Sequence, residues 1–318
     1  MVSKQYRVFT VVLLCLLIVS LIGNFYQMNN RQVIKTVQIQ SSEEEYEQKY
    51  ADFDKQDKKV KKSIYEGTLA AGTSPTEVKY VLMKLKDDLN DEEKDQAIAQ
   101  YINHIQYFAS VFTSLTVSYE NIIRSLSDSI DFSTRDSAFQ VSDKVLRNLL
   151  LEIWDSDMIL YIPASTSSAL SVIVDYDSLK ETYKDFITDK TAEYLDLKSS
   201  IINGSIYNND GSISYSKLEE FMKNTYAFIY AYPDFAIIED VQYMYVVAAK
   251  MYFNIYNTVV EDVTFTDEDI SRITDFVNKY ADSPAADIGQ TLLDGIVDGG
   301  IDETTYNEVL GAFDALSV

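Results

Sequence analysis

The chain has 318 residues and carries 50 acidic against 27 basic side chains, which gives a formal net charge of −23 at pH 7. Such a negative surface repels nucleic acid and anionic lipid headgroups, so we expect no nucleic acid among its partners. Hydrophobic residues make up 47% of the sequence, which is enough for a packed core and excludes a disordered chain.

The N-terminal segment has the pattern of a transmembrane signal-anchor. Lys4 and Arg7 precede an apolar run at 8–25, and its 18 residues are just enough to span a bilayer. Leu21 occupies the position where a signal peptidase needs a small residue, so we expect the segment to stay attached. The sequence therefore predicts a cytoplasmic tail at 1–7 and a single-pass plasma-membrane protein whose C-terminal domain is extracytoplasmic. Secretion after signal cleavage is the alternative.

Cys15 lies inside this run and is the only cysteine of the chain, so the exported part can form no disulfide. Exported domains in strongly oxidising compartments often use disulfides. Their absence favours the surface of a bacterial cell.

Residues 26–72 have the pattern of a charged helical stalk or a short coiled coil. Apolar and aromatic side chains recur there at spacings of three and four, and clusters of glutamate and lysine lie between them. These side chains are Tyr46, Tyr50, Phe53, Val60 and Ile64. A stalk of this kind would also allow the protein to form a homo-oligomer.

Residues 73–204 are predicted to form a bundle of long helices. A serine followed by proline marks one helix start at Ser74. Another helix is expected to open at Ser133 and to end before Pro163. A further helix is expected to be capped by Asp177 or by the serine after it.

The longest helix is expected to start at Asn90 and to run to about Ile130. Its apolar side chains alternate spacings of four and three, and these are Tyr101, Ile105, Phe108, Phe112, Leu115, Tyr119, Ile122 and Leu126. Apart from any charge on His104, no residue from 96 to 119 is formally charged. The helix is therefore predicted to be central and covered by other helices. A second transmembrane span is the alternative, and the polar side chains of this stretch argue against it.

Residues 205–318 are predicted to form a subdomain of shorter helices. We expect these helices at 216–231, 234–260, 267–281, 284–297 and 302–316. Thr266 and Asp269 have the arrangement of a capping box before the third of them. Together the elements predict an all-α fold with an N-terminal single transmembrane helix, a helical stalk and a multi-helix extracytoplasmic bundle.

Two segments have part of the pattern of a calcium-binding loop. The segment around Asp210 lacks carboxylates at both ends of the loop. The second segment contains Asp294, Asp298 and Asp302, but Thr305 takes the place of its last acid. A tight turn that leads into a capped helix needs the same residue types, and we favour that interpretation. Weak calcium binding at the second segment is the alternative, and we expect no other cofactor.

Candidate catalytic residues are few. Asp175 and Asp177 follow an apolar run, as the metal-binding acids of some phosphotransferases do, but the further strand–helix units of those folds are missing. His104 is the only histidine, and a hydrogen-bonded structural role is the interpretation that we favour for it. Catalysis by a pair of carboxylates, as in glycoside hydrolases, remains an alternative, although nothing in the sequence selects a pair.

Seven tyrosines in a short stretch are the candidate binding residues. They are Tyr226, Tyr230, Tyr232, Tyr243, Tyr245, Tyr252 and Tyr256. Tyrosine is favoured at interfaces, but it also fills helical cores. We therefore expect a non-catalytic protein that acts in protein–protein interaction or scaffolding at the cell envelope. One alternative is an extracytoplasmic ligand-binding or sensory module that works with a membrane partner. The other is a carboxylate-dependent envelope hydrolase.

Overall fold

The computed structural model describes residues 43–132, 134–163, 169–202, 204, 206–208, 212–255 and 263–316. The predicted cytoplasmic tail, the predicted transmembrane helix and the first part of the predicted stalk lie outside these residues. Among the helices that are described, none combines the length and the apolar character that a membrane crossing needs.

The described residues form thirteen α-helices and one two-stranded β-sheet, so the prediction of a mainly helical fold is confirmed. The chain divides into two compact units, and the boundary lies between Leu195 and Asp196. The sequence analysis placed this boundary after residue 204. The division point lies within helix α8 (Asp189–Ile202).

The elements of the first unit before α8 are α1 (Glu43–Lys49), α2 (Lys58–Ala70), α3 (Pro75–Leu85), α4 (Asp91–Val117), α5 (Glu120–Leu126), α6 (Lys144–Asp155), β1 (Met158–Tyr161), β2 (Ser171–Val174) and α7 (Tyr176–Tyr183). Short 3₁₀ turns lie at Phe53–Lys55, Lys86–Asp88 and Arg135–Gln140. The helices of the second unit after α8 are α9 (Tyr215–Ala231), α10 (Ile238–Tyr252), α11 (Asp267–Lys279), α12 (Pro284–Gly295) and α13 (Glu303–Ala315).

Helix α4 is central to the first unit, as predicted. It packs against α2, α3, α6 and β2. Asn90 and Glu93 form a reciprocal capping box at its start, with both hydrogen bonds at 3.0 Å. Tyr101, Ile105 and Phe112 are fully buried on its inner faces. A helix without charges in its second half can be covered in this way because no ionised side chain has to reach water.

The long helix ends earlier than predicted. After Val117 the N–H groups of Ser118 and Tyr119 bond to carbonyls three residues back, which closes the helix in a tight turn before α5. The apolar stripe leaves the core at this point, because Leu115 and Ile122 are exposed by 37% and 42%.

Residues 43–72 do not form a separate stalk. Tyr46, Phe53 and Tyr65 are buried in the first unit. The Tyr65 hydroxyl donates a hydrogen bond to the carbonyl of Ala97 on α4 at 2.7 Å. Two of the aromatic side chains that suggested a coiled coil, Tyr46 and Tyr50, pack against Tyr80 on α3, so this part of the predicted stalk belongs to the bundle.

A β-hairpin begins where the sequence analysis expected the end of the helix that precedes Pro163. Strands β1 and β2 pair antiparallel, from Met158 opposite Val174 to Tyr161 opposite Ser171. Each strand has only four residues, and the period of such a short apolar run does not separate strand from helix.

The helix after the hairpin also differs from the prediction. Asp175, not Asp177, caps α7, because its Oδ1 accepts a hydrogen bond from the Ser178 N–H at 2.9 Å. The helix that begins here, α7, ends at Tyr183, and α8 follows it as a separate helix.

The second unit follows the predicted order of helices closely. Helix α9 packs against α10, α11 against α12, and α12 against α13. Phe228, Phe253 and Phe313 are fully buried in these layers. The helix expected at 234–260 is shorter, because Asn254 takes a left-handed conformation with φ of 62° just after α10 ends.

Candidate binding groove

The candidate tyrosines that the structure describes do not form one exposed patch. Tyr245 and Tyr252 are buried, with exposed fractions of 4% and 2%, whereas Tyr230 is exposed by 83%. The half-buried ones are Tyr226, Tyr232 and Tyr243. Tyr256 lies outside the described residues. Most of this cluster therefore contributes to helix packing rather than to a free surface.

Asp294, Asp298 and Asp302 belong to a turn and a helix cap. Asp302 Oδ1 accepts a hydrogen bond from the Thr305 N–H at 2.7 Å and so starts α13. Asp298 has φ of 53°, a conformation that aspartate adopts more easily than most residues in a tight turn. Within the described ranges, no group of three or more His, Cys, Asp or Glu side chains is close enough together to hold a metal ion, and this includes the three aspartates. Asp210 lies outside those ranges.

The second unit has an open groove with a volume of about 350 Å³. Three helices line it: the start of α9, the end of α10 and one face of α11. We refer to it below as the α9–α11 groove. Both aromatic and charged side chains lie in its walls.

Helix α9 presents Tyr215 and Glu219 to the groove, one helical turn apart. A short bridged segment fixes the start of this helix. Tyr207 and Ile213 form an antiparallel bridge, and the Ser214 N–H donates a hydrogen bond to the carbonyl of residue 206 at 2.9 Å. The first residue of α9, Tyr215, is therefore held in place by the backbone before it.

Helix α11 presents Glu268, Arg272 and Asp275 on one face, at spacings of four and three. The predicted capping box starts this helix. Thr266 Oγ1 accepts a hydrogen bond from the Asp269 N–H at 3.2 Å, and Asp269 Oδ2 accepts one from the Thr266 N–H at 2.9 Å. The box confirms the predicted helix start and fixes the carboxylate of Asp269.

Asp269 in turn positions Arg272. The Asp269 Oδ1 atom lies 2.8 Å from Nη2 of Arg272. Burial alone would raise the pKa of Asp269, but the hydrogen bonds from Thr266 and the charge of Arg272 outweigh it, and the pKa is lowered. Asp269 is therefore ionised at neutral pH and holds the guanidinium as a charged partner.

The Arg272 guanidinium lies against two aromatic rings. Its central carbon is 3.6 Å from the ring centroid of Tyr215 and 5.5 Å from that of Tyr252. The two rings meet edge to face, with their centroids 6.0 Å apart. Nη2 donates a hydrogen bond to the Tyr252 carbonyl at 3.1 Å, whereas Nε is buried without a partner among the described residues. The rings of this groove therefore already hold one cation.

Glu219 is held at the groove by side chains from the end of α11. Its Oε1 accepts hydrogen bonds from Lys279 Nζ at 2.5 Å and from Tyr280 Oη at 2.7 Å. Partial burial would raise the pKa of Glu219, but these two bonds lower it overall. The same bond to Glu219 raises the pKa of Lys279, so both groups are charged at neutral pH.

No known protein family, curated protein or solved structure matches this chain. Its function is therefore argued from the chemistry of its own residues. In the α9–α11 groove, aromatic faces and carboxylates lie together, and both attract cations.

Two buried acids of the first unit have a raised pKa. Burial is the main cause for Glu152 and for Asp157 alike. Glu152 accepts a hydrogen bond from Thr76 Oγ1 at 2.8 Å, and Asp157 pairs with Lys79 Nζ at 2.6 Å and accepts a bond from Tyr101 Oη at 3.0 Å. Both acids are enclosed by packed helices, so neither is placed to reach a substrate.

His104 has the hydrogen-bonded role that the sequence analysis favoured. Its Nε2 lies 2.8 Å from the carbonyl oxygen of Thr73. Burial lowers the pKa of His104, so the ring is neutral at pH 7 and donates this bond. The contact joins α4 to the turn before α3 and is structural.

The sequence analysis did not select Tyr215, Glu219 or Arg272. These residues come from separate helices and become neighbours only when α9 and α11 pack into one unit. The capping box at Thr266 was the local signal nearest to them, and it located the helix but not the groove.

Proposed function

We propose that the protein is a non-catalytic interaction protein of the cell envelope, tethered to the plasma membrane by its N-terminal segment. The observation that supports a binding role is the α9–α11 groove, which is open and has a volume of about 350 Å³. Protein interfaces are enriched in tyrosine and arginine, and the half-buried Tyr215 and Arg272 supply one of each at this groove.

A small-molecule sensor is the second candidate. The groove volume falls at the lower end of the range for ligand pockets, which is roughly 300–1,000 Å³. Such pockets are usually enclosed and mainly apolar, whereas this groove is open and charged. A carboxylate-dependent hydrolase has less support, because the buried Glu152 and Asp157 lie outside the groove.

The test is crosslinking of intact cells that express the full-length chain, followed by affinity capture from membranes and N-terminal sequencing of the captured protein. We expect the native N-terminus, together with at least one protein partner that is recovered reproducibly. A chain of residues 1–42 fused to an unrelated domain serves as the control, and it should lose that partner because it keeps only the anchor segment.

Recovery of a soluble form that starts near Asn24, without a reproducible partner, would contradict the proposal. A partner that the 1–42 fusion also captures would assign the interaction to the anchor segment and would equally contradict a binding role for the helical units. Addition of a small molecule that changes the melting temperature by several degrees without any protein partner would favour the sensor.

A further inference from the structure

A buried ion pair in the first unit joins two elements that are far apart in the sequence. Lys79 on α3 and Asp157, the residue before β1, are 78 positions apart, and Nζ of the lysine lies 2.6 Å from Oδ1 of the aspartate. The Asp157 side chain is exposed by only 3%, whereas that of Lys79 is exposed by 25%. An amine and a carboxyl group are therefore held together, with the carboxyl group inside the unit.

The second oxygen of Asp157 has a different partner. Tyr101 Oη donates a hydrogen bond to Oδ2 at 3.0 Å. The ring centroids of Tyr101 and Tyr183 are 6.0 Å apart, and both side chains are fully buried beside this carboxyl group. A hydroxyl that is aimed at a carboxyl oxygen stabilises the negative charge that develops there when a nucleophile attacks the carbon. Asp157 is thus bonded to an amine on one oxygen and to a charge-stabilising hydroxyl on the other.

This arrangement favours condensation of the two groups. A carboxyl C–O bond is about 1.2 Å long, so the amine lies within about 4 Å of the Asp157 carboxyl carbon. Groups held together in a reactive orientation reach effective concentrations of roughly 10⁵–10⁸ M. Burial raises the pKa of Asp157, and the bonds with Lys79 and Tyr101 only partly counter this effect, so the ionised form is costly here. A neutral amide removes that cost.

From these observations we infer that Lys79 and Asp157 form an intramolecular amide bond between Nζ and the carboxyl carbon, with the Tyr101 hydroxyl as the group that stabilises the charge on Oδ2. The inference concerns the first unit and does not depend on the α9–α11 groove.

The bond forms without any co-reactant. A proton passes from the Lys79 ammonium group to Oδ1 of Asp157, and the free amine attacks the carboxyl carbon. Oδ1 then leaves with this proton and a second one from the attacking nitrogen, so the products are one amide and one water molecule. The exposed part of the Lys79 side chain lets the amine turn out of the carboxyl plane and lets the water leave.

The amide has a consequence for stability. Cys15 is the only cysteine of the chain, so no disulfide can form within it. A bond between Lys79 and Asp157 closes a loop of the chain and restricts its unfolded state in the way that a disulfide does. Unlike a disulfide, it also persists in reducing agents.

Mass spectrometry of the purified full-length protein tests the bond directly. We expect the intact protein to be lighter than its sequence requires by the mass of one water molecule, after allowance for the N-terminus found by sequencing. Digestion with trypsin after denaturation should give a product in which residues 63–84 are joined to residues 148–180, because trypsin does not cleave after an acylated lysine. Fragmentation of this product should place the bond between Lys79 and Asp157.

Three variants separate the groups that take part. Lys79→Arg keeps a cation beside Asp157 but has no nucleophilic amine, so it should have its full mass. Lys190→Arg is the matched control, since Lys190 Nζ lies 2.9 Å from Oδ2 of the buried Asp95, and it should keep the water loss. Tyr101→Phe keeps the ring and removes the hydroxyl. In protein sampled at intervals after a pulse of isotope-labelled amino acids, its bond should form at least tenfold more slowly.

A wild-type protein of full mass would overturn the inference, and this measurement needs no variant. A water loss that digestion assigns to other residues, or one that persists in Lys79→Arg, would overturn it equally. Equal rates of bond formation in Tyr101→Phe and the wild-type protein would overturn the role of the hydroxyl. None of these results bears on the proposed function, which the crosslinking of intact cells tests separately.

Discussion

The guanidinium carbon of Arg272 lies 3.6 Å from the ring centroid of Tyr215, and this contact joins α11 to α9 beside the groove. Arg272 is also paired with Asp269, whose position is fixed by the cap of α11. One side chain therefore connects a helix cap, a second helix and the wall of the groove. Its loss should affect the stability of the second unit as well as any binding.

We expect Arg272→Lys to destabilise the second unit by about 1–2 kcal/mol, because an ammonium group neither stacks as a plane nor replaces the fork of N–H donors. Urea unfolding of the full-length protein, followed by circular dichroism, measures this change.

Arg135→Lys is the matched control for the arginine prediction. Arg135 pairs with Asp155 in the first unit, where the two side chains are exposed by 47% and 39%, and its guanidinium carbon is 5.6 Å from the ring centroid of Phe139, farther than the 3.6 Å from Arg272 to Tyr215. An exposed pair of this kind contributes at most about 1 kcal/mol, so this substitution should change stability less. Equal losses from both substitutions would mean that the stacked position of Arg272 has no special importance.

The helix starts could be predicted from the sequence because their signals are local. Ser74, Asn90 and Thr266 each accept a hydrogen bond from the N–H group three residues later, and each lies where the cap was expected. The groove could not be predicted in this way. Tyr215 and Arg272 belong to different helices, and no local pattern states that their side chains will meet.

Burial was harder to predict than helix position. The apolar spacing that places Phe112 in the core continues to Leu115 and Ile122, which are exposed. Periodicity identifies one face of a helix, but only the neighbouring elements decide how far that face is covered. The tyrosines show the same limit. Tyr230 and Tyr245 are both tyrosines within helices, yet Tyr230 is 83% exposed and Tyr245 only 4%.

Gly295 lies at the end of α12 against Thr305 on α13. A Cβ atom at this glycine would lie 2.2 Å from Thr305 Cγ2 and 2.9 Å from Thr305 Cβ. Rotation of the threonine side chain can move the first atom but not the second. We therefore expect Gly295→Ala to destabilise the second unit by about 1–3 kcal/mol, measured by thermal unfolding.

Gly311 is the control for this prediction. It lies inside α13, and a Cβ atom there would meet nothing within 4 Å. Gly311→Ala should stabilise the helix by about 0.5–1 kcal/mol, since alanine loses less backbone entropy on folding. The prediction is wrong if both alanine variants melt above the wild-type protein.

Glu93 stabilises the start of α4 as an ionised group. Hydrogen bonds from Lys58 and from the Asn90 N–H lower the pKa of Glu93 to about 2 from its ordinary value of 4.5. A carboxyl group whose pKa is depressed in the fold contributes stability above its unfolded pKa and loses it as the pH falls through the folded pKa. Glu93→Gln should therefore be less stable than the wild-type protein at pH 7, and the difference should shrink between pH 4.5 and pH 2.

The neighbouring Glu92 is the control for this pH dependence, because it is exposed on the same first turn. Glu92→Gln should change stability little at any pH. Chemical unfolding across the pH range compares the two variants with the wild-type protein. A difference for Glu93→Gln that stays constant down to pH 2 would show that its hydrogen bonds, not its charge, stabilise the cap.

Glu152 should show the opposite pH dependence. Burial raises the pKa of Glu152, and the hydrogen bonds from Thr76 only partly counter this effect. An acid whose folded pKa is raised favours the fold most below its unfolded pKa, and that contribution is lost as the pH rises through the folded pKa. Glu152→Gln removes the buried charge and keeps an oxygen that can accept the Thr76 bond. The variant should therefore be more stable than the wild-type protein at pH 8, and this advantage should disappear towards pH 4.

Unfolding in urea at each pH measures the difference, and Glu92→Gln again serves as the exposed control. If Glu152→Gln is instead less stable by the same amount at both pH values, the amide does not replace the carboxyl group in its bonds with Thr76 and Ser156, which both reach Oε1, and the charge has no part in the effect.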